Sequence, residues 1–202
     1  MFREMSMRDD YIKDLAEEIR IKAPRIDSHV LEQFILLSIE LAREGREGRK
    51  VGTMFVIGDS TEVLKHSRCL ILDPLWYHPH DIKRITNPDM RETVKELSQL
   101  DGAFVVSSDG VVLSGTRYLN ASSEGIDLPL GLGSRHMAAA SISKQTNAVA
   151  IVVSESSVVR IFVDGEIISE LIPELWLLRR FAMSQEESPR LRRSEAIVQD
   201  AE

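Results

Sequence analysis

Cysteine is almost absent from this sequence, and that sets the first bound. The single Cys69 leaves no internal disulfide and no CxxC-type zinc site. Aromatics are scarce too, at 5% of 202 residues, so the core must be aliphatic, built mostly from Val, Ile, Leu and Ala. No apolar run approaches the roughly 18–20 residues of a membrane span. The start, MFREMSMRDD, lacks the apolar stretch of a signal peptide, so a cytoplasmic protein with no membrane partner is expected. Positive charge is in deficit: 25 Lys and Arg against 32 Asp and Glu give a net charge of −7. A surface that coats nucleic-acid phosphates is normally basic, so the balance speaks against a nucleic-acid partner while leaving room for a local anion site. Internal repeats are missing as well. What remains is ordinary globular composition, 43% hydrophobic and 28% charged. At roughly 150 residues per domain, the length fits one compact domain, or one with an appendage.

The first fifty residues read as two helices. Ile12, Leu15, Ala16 and Ile19 fall on one face, Pro24 interrupts, and Asp27 or Ser28 can cap a second helix. That helix carries Val30, Leu31, Phe34, Ile35, Leu37 and Leu41 to about Glu44. The glycines and basic residues of 45–50 suit a helix end and mark the main boundary. We therefore expect an N-terminal helical segment over 1–48, a catalytic domain over 49–182 and a polar tail over 183–202. Residues 51–57 read as a strand, and the D-x-x-E spacing of Asp59 and Glu62 as a capping box opening a short helix to about His66. Cys69 is expected as a small buried hydrophobe opening an apolar burst over 69–72. Residues 75–86, interrupted by prolines, read as an irregular loop; their His78-x-His80 has no matching third metal ligand except Asp73 or Asp81. Asn87-Pro88 opens a helix ending near Leu100. Strands follow at 103–106 and 111–113 about an Asp109-Gly110 turn, then a small-residue helix over 134–145. Strands at 148–153, 158–163 and 166–169 come next, with Asp164-Gly165 as a turn. A closing helix over 171–182 has Leu175, Trp176 and Leu178 to bury. The pattern predicts a mixed α/β layer structure, a central sheet flanked by helices with several hairpins, rather than a regular βαβ alternation.

Three places could carry chemistry. At Asp101-Gly102-Ala103 a helix hands over to a strand; a carboxylate held there can bind a divalent metal or help remove a hydroxyl proton. The tripeptide alone also reads as a helix end with Asp satisfying a turn. At Gly131-Leu132-Gly133-Ser134-Arg135-His136, glycines precede a helix whose free N–H groups and partial positive charge suit a phosphate. Arg135 can grip phosphate oxygens with its planar fork, and Ser134 and His136 can add donors. In isolation this is equally an ordinary loop with an exposed arginine. Ser154-Glu155 ends the most hydrophobic strand, at a sheet rim where sites form, or else simply makes a hairpin turn.

Taken in order, these segments resemble the diadenylate cyclase domain, which makes cyclic di-AMP from two ATP. The resemblance covers about residues 51–170 and rests on Asp101-Gly102-Ala103, Tyr118-Leu119, Gly131 through His136, and Ser154-Glu155 after an apolar strand. The family's hallmark pair is Asp-Gly-Ala and Arg-His-Arg; here the second reads Arg135-His136-Met137, and Ser134 stands where Thr is more usual. The sequence around it is closer to a variant subgroup with a small or apolar residue after the His. The resemblance implies a diadenylate cyclase fold, a mixed twisted sheet flanked by helices with an N-terminal helical pair added. It implies that two domains face each other, each holding one ATP, so that each 3′-hydroxyl attacks the other's α-phosphorus. A homodimer or higher homo-oligomer is then required. By the same analogy Asp101 binds Mg²⁺ or Mn²⁺ and helps activate the hydroxyl. Gly102 and Ala103 line the ribose, and Tyr118 and Leu119 hold the adenine. Gly133, Ser134, Arg135 and His136 hold the phosphates, Ser154 contacts phosphate or ribose, and Glu155 is a second acidic group near the metal. The alternative is a non-catalytic regulatory module that binds ATP or the cyclic dinucleotide in the same cleft. Residues 1–50 lie outside the resemblance; they either pack on the sheet or also set the oligomeric state.

Overall fold

Apolar residues run along the central strands and recur at helical spacing elsewhere, and the computed structural model turns that pattern into three layers. It describes residues 2–175 and Leu178, with side chains from Tyr11 onward. The tail expected over 183–202, and Trp176 of the expected closing helix, lie outside the described residues. Seven strands form one sheet: β1 (Thr53–Ile57), β2 (Ser67–Cys69), β3 (Ala103–Val106), β4 (Val112–Leu119), β5 (Val149–Val153), β6 (Val159–Val163) and β7 (Glu166–Leu171). Their order is β2-β4-β3-β1-β5-β6-β7. Only β1 and β3 run parallel; every other neighbouring pair is antiparallel. This is the mixed, hairpin-rich sheet the sequence predicts.

Successive side chains on a strand point to opposite faces, so the central strands must be apolar throughout. Phe55, Ile57, Phe104, Val106 and Ile151 face one way, and Met54, Val56, Ala103, Val105 and Val152 the other. The first face is covered by α1 (Phe2–Lys22), α2 (Ser28–Glu44) and α4 (Pro88–Leu97), which contribute Ile12, Ile19, Phe34 and Val94. Phe34 of α2 lies 5.1 Å from Phe55, which lies 5.4 Å from Phe104, ring centre to ring centre. Of the N-terminal helices, α2 thus packs on the sheet and α1 packs on α2. The second face takes α3 (Ser60–Lys65) through Val63 and α5 (Ser134–Gln145) through Ala139, Ala140 and Ile142. Small residues let α5 lie close to the strands, which brings its first turn to the sheet rim.

Most element ends follow their caps. Asp27 accepts the His29 N–H, Asn87 accepts the Asp89 N–H, and Gly45, at φ 61°, ends α2. Asp164-Gly165, both at positive φ, makes the two-residue turn of the β6–β7 hairpin. Four local expectations are corrected. Asp59 does not cap α3: it sits at φ 43° and spends its carboxylate on the backbone and side-chain N–H groups of Asn147, while Glu62 pairs with Lys65. The strand expected over 111–113 runs on to Leu119, because its polar half pairs with β2 and β3. Cys69 is exposed, as are Leu70, Ile71 and Leu72 after it, because β2 is an edge strand. Leu175 and Leu178, expected to be buried, are exposed. No helix among the described residues is long and apolar enough to cross a membrane.

Candidate active site

Strand register gathers the site. Met54 pairs with Ala103 in parallel, and Thr53 pairs with Val153 antiparallel. One residue further out, the chain therefore enters β1 and β3 and leaves β5 at the same rim, which carries Gly52, Asp101-Gly102 and Ser154-Glu155. Into that rim α5 delivers Arg135 from its first turn. Arg135 Nη2 donates to Asp101 Oδ1 at 3.0 Å, and Nη1 donates to Glu155 Oε1 at 3.3 Å. Three residues from the three separate motifs thus meet at one guanidinium. Asp101 and Glu155 keep 86% and 66% of their side-chain surface open, against 34% for Arg135. Two carboxylates against one guanidinium leave a local charge of −1 made of hard oxygen donors, a set that suits Mg²⁺ or Mn²⁺ completed by phosphate oxygens and water.

The backbone beneath is strained. Gly102 lies at φ 108°, and across the strand pair Thr116, a β-branched residue, lies at φ 52°. Both adjoin a register shift between Ala103–Arg117 and Val105–Ser114, where β4 bulges. Among the described residues, Thr116 Oγ1 is buried without a partner. A β-branched residue at positive φ costs energy that a fold tolerates mainly where the geometry has a use.

The other motif residues divide. Ala103 is fully buried in the core on the α5 face, as is Leu119, whereas Tyr118 is exposed, with the Arg68 guanidinium 4.6 Å from its ring centre. No hydrogen bond or ion pair joins Tyr118 or Leu119 to the Arg135 cluster among the described residues. Ser154 spends its hydroxyl in its own turn, on Ser156 Oγ at 2.9 Å. Gly133 caps α5 at an unstrained φ of −79°, and a Cβ built on it would meet nothing within 4 Å. Neither conformation nor crowding within the chain requires glycine there, so the space in front of the helix is open to a ligand. His136 turns inward and is only 7% exposed. Its Nε2 faces Arg160 Nη1 at 3.2 Å, and its Nδ1 is buried without a partner among the described residues. Burial, then the Arg160 and Arg135 charges, push its pKa below the ordinary 6.5, with Glu170 opposing.

Sequence reasoning missed Gly52 and Arg160. Gly52 precedes a strand with no motif around it, yet a Cβ there would meet Arg135 Nη1 at 2.6 Å and Glu155 Oε1 at 3.0 Å. Arg160 did leave a signal, a lone cation inside the apolar run 158–163.

Comparison with known proteins shows the family to which the chain belongs. The family model described as DisA bacterial checkpoint controller nucleotide-binding (DAC) matches residues 40–167. A protein of Methanocaldococcus jannaschii named diadenylate cyclase is 46% identical over 149 residues, which is 73% of this chain and 47% of that protein. A diadenylate cyclase of Haloferax volcanii is 43% identical over 155 residues, 75% of this chain and 56% of that one. This chain thus spans about half the length of these relatives. Among solved structures, one described as a hypothetical membrane spanning protein from Bacillus cereus shares the fold. It has a TM-score of 0.51 and 15% identity, over 82% of this chain and 93% of that one.

Proposed function

Because the chain belongs to the diadenylate cyclase domain family, we propose that it condenses two ATP into cyclic di-AMP and two pyrophosphates. The observation that carries this reading is Arg135, on the first turn of α5, joining Asp101 to Glu155. A helix start with open space before it and an arginine beside it receives a triphosphate. Asp101, with Glu155 next to it, would hold the Mg²⁺ or Mn²⁺, which when bound neutralises charge on the phosphates. Asp101 also accepts the proton leaving the 3′-hydroxyl, while Arg135 orients the α-phosphate for in-line attack and leaves pyrophosphate a cationic partner. Tyr118 offers an exposed ring for the adenine. Catalysis on this reading is positioning plus charge stabilisation.

Each chain brings one ATP, so the reaction needs two chains face to face. A surface for the second copy adjoins the site: Leu70, Ile71, Leu72, Trp76, Tyr77 and Ile82 are all exposed on one loop. That loop touches the site's own strand, since Leu70 N–H donates to the Thr116 carbonyl and Arg117 lies over Trp76. Incubation with ATP and Mg²⁺ or Mn²⁺, followed by mass spectrometry, tests the proposal. Cyclic di-AMP is expected from the wild type and none from Asp101→Asn. ATP bound but unconverted by a dimeric sample would replace it with the regulatory-module reading.

A further inference from the structure

A strand buried between helices and neighbouring strands rarely carries a cation, and β6 carries Arg160. Its side chain is only 14% exposed, and its guanidinium is held on two sides. Nε donates to Glu170 Oε2 of β7 at 2.6 Å, and Nη1 lies 3.2 Å from His136 Nε2 under the first turn of α5. Arginine has donors and no acceptor. The nitrogen facing it must therefore accept, so the His136 ring is neutral and its proton sits on Nδ1. That N–H is buried without a partner among the described residues, a costly state that a bound ligand would relieve. The charged groups around the ring are Arg135 on its own helix, Arg160 on β6 and Glu170 on β7; the uncharged Phe162 ring packs 6.2 Å away. The first turn of α5 itself carries one arginine, and Arg160 brings it a second guanidinium from the sheet.

We infer that Arg160 is a positioning residue of the nucleotide site: anchored by Glu170, it fixes His136 in the neutral Nδ1–H form at the start of the helix that receives phosphate. Arg160 acts through His136 and does not itself touch substrate. The inference rests on the reading of α5 as the phosphate-binding helix.

Three variants test it: Arg160→Met keeps the packing stem, Arg160→Lys keeps the charge and a donor, and Glu170→Gln removes the anchor. The His136 tautomer and titration are read by long-range ¹H–¹⁵N NMR, ATP affinity by calorimetry, and turnover by cyclic di-AMP formation across pH 5.5–8.5. The wild type is expected to show the Nδ1–H form at neutral pH and above. In Arg160→Met the ring should lose its single tautomer and titrate at higher pH. The efficiency of ATP use should fall about tenfold or more, with the acid limb of the pH profile moving up. Arg160→Lys should restore part of both; Glu170→Gln should lie between in ATP use, while the His136 titration does not move up, since the charge that raises it is gone. A melting temperature that drops while tautomer, ATP affinity and pH profile stay at wild-type values would overturn the inference and leave Arg160 a packing residue. If the wild type makes no cyclic di-AMP, the cyclase reading fails; the NMR and ATP-affinity arms still decide the role of Arg160.

Discussion

Two glycines flank the site, and they are glycine for different reasons. A Cβ on Gly102 would lie 2.6 Å from the Thr116 carbonyl carbon and 2.8 Å from the Arg117 nitrogen, at a φ of 108° that side chains rarely adopt. Backbone cannot step aside, so Gly102→Ala damages the fold itself. A Cβ on Gly52 meets only the ends of the Arg135 and Glu155 side chains. Gly52→Ala should leave the melting temperature nearly unchanged yet push Arg135 off its carboxylates, lowering ATP turnover about tenfold. Calorimetry and the product assay check this together; a fall of several degrees in the melting temperature would show that the backbone, not Arg135, had moved. His136 sets a pH window. Its folded pKa lies below 6.5, so the unfolded chain takes up the proton first as pH falls. Stability is then intact above pH 6.5 and declines from there down through the folded value. Denaturant midpoints from pH 7.5 to 5.5 should show the decline, flattened in His136→Asn. Asp101, Arg135 and Glu155 were legible because each stands in a motif, whereas the inward turn of His136 was not, since only the sheet beneath α5 decides which way that ring faces.

At the scale of elements, the helices were legible and the polar strand ends were not. The apolar face of α2 predicts its burial, and Phe34 takes its place in the Phe55–Phe104 row. Phe34→Ala removes a fully buried ring from a core shared by helix and sheet and should cost about 3–5 kcal/mol. Urea unfolding reads that loss as a lower midpoint at an unchanged slope. A cost below about 1 kcal/mol would mean that the helix pair is only loosely attached. Glu40 ties the same helix to α4. Burial alone would raise its pKa, but hydrogen bonds from Lys95 and Arg91 outweigh that and lower it. The far half of β4 escaped notice because Ser114, Gly115, Thr116 and Arg117 lack strand-like alternation. They are strand because two partners and a bulge hold them there. The α3 cap failed for the converse reason: the sequence spacing was right, but Asn147, far along the chain, claimed the Asp59 carboxylate.

For the whole molecule the unsettled face is the loop over residues 70–82. The sequence shows it as irregular and rich in apolar residues but not which of them reach solvent. The structure pins the loop from within. Leu75 is buried, and Lys83, itself buried, donates to the carbonyls of Leu75 at 3.1 Å and Leu113 at 3.3 Å. Asp73 accepts from the Leu75 and Gly115 N–H groups. A loop anchored this firmly presents its outer side chains as a fixed surface, with Leu72 94% and Tyr77 92% exposed. Monomers seldom leave such a cluster uncovered unless something docks on it. On the two-chain reading the occupant is a second copy, whose own rim then faces this one. The double change Leu72→Glu with Tyr77→Glu touches no core residue, so the fold and its melting temperature should hold. Like charges would then meet across the interface. Sedimentation should show monomer, and cyclic di-AMP formation should collapse while each chain still binds ATP with wild-type affinity. That split is what a site completed in trans requires. If the doubly charged variant stays dimeric and active, the loop is not the partner surface, and the second chain must approach from another side of the rim.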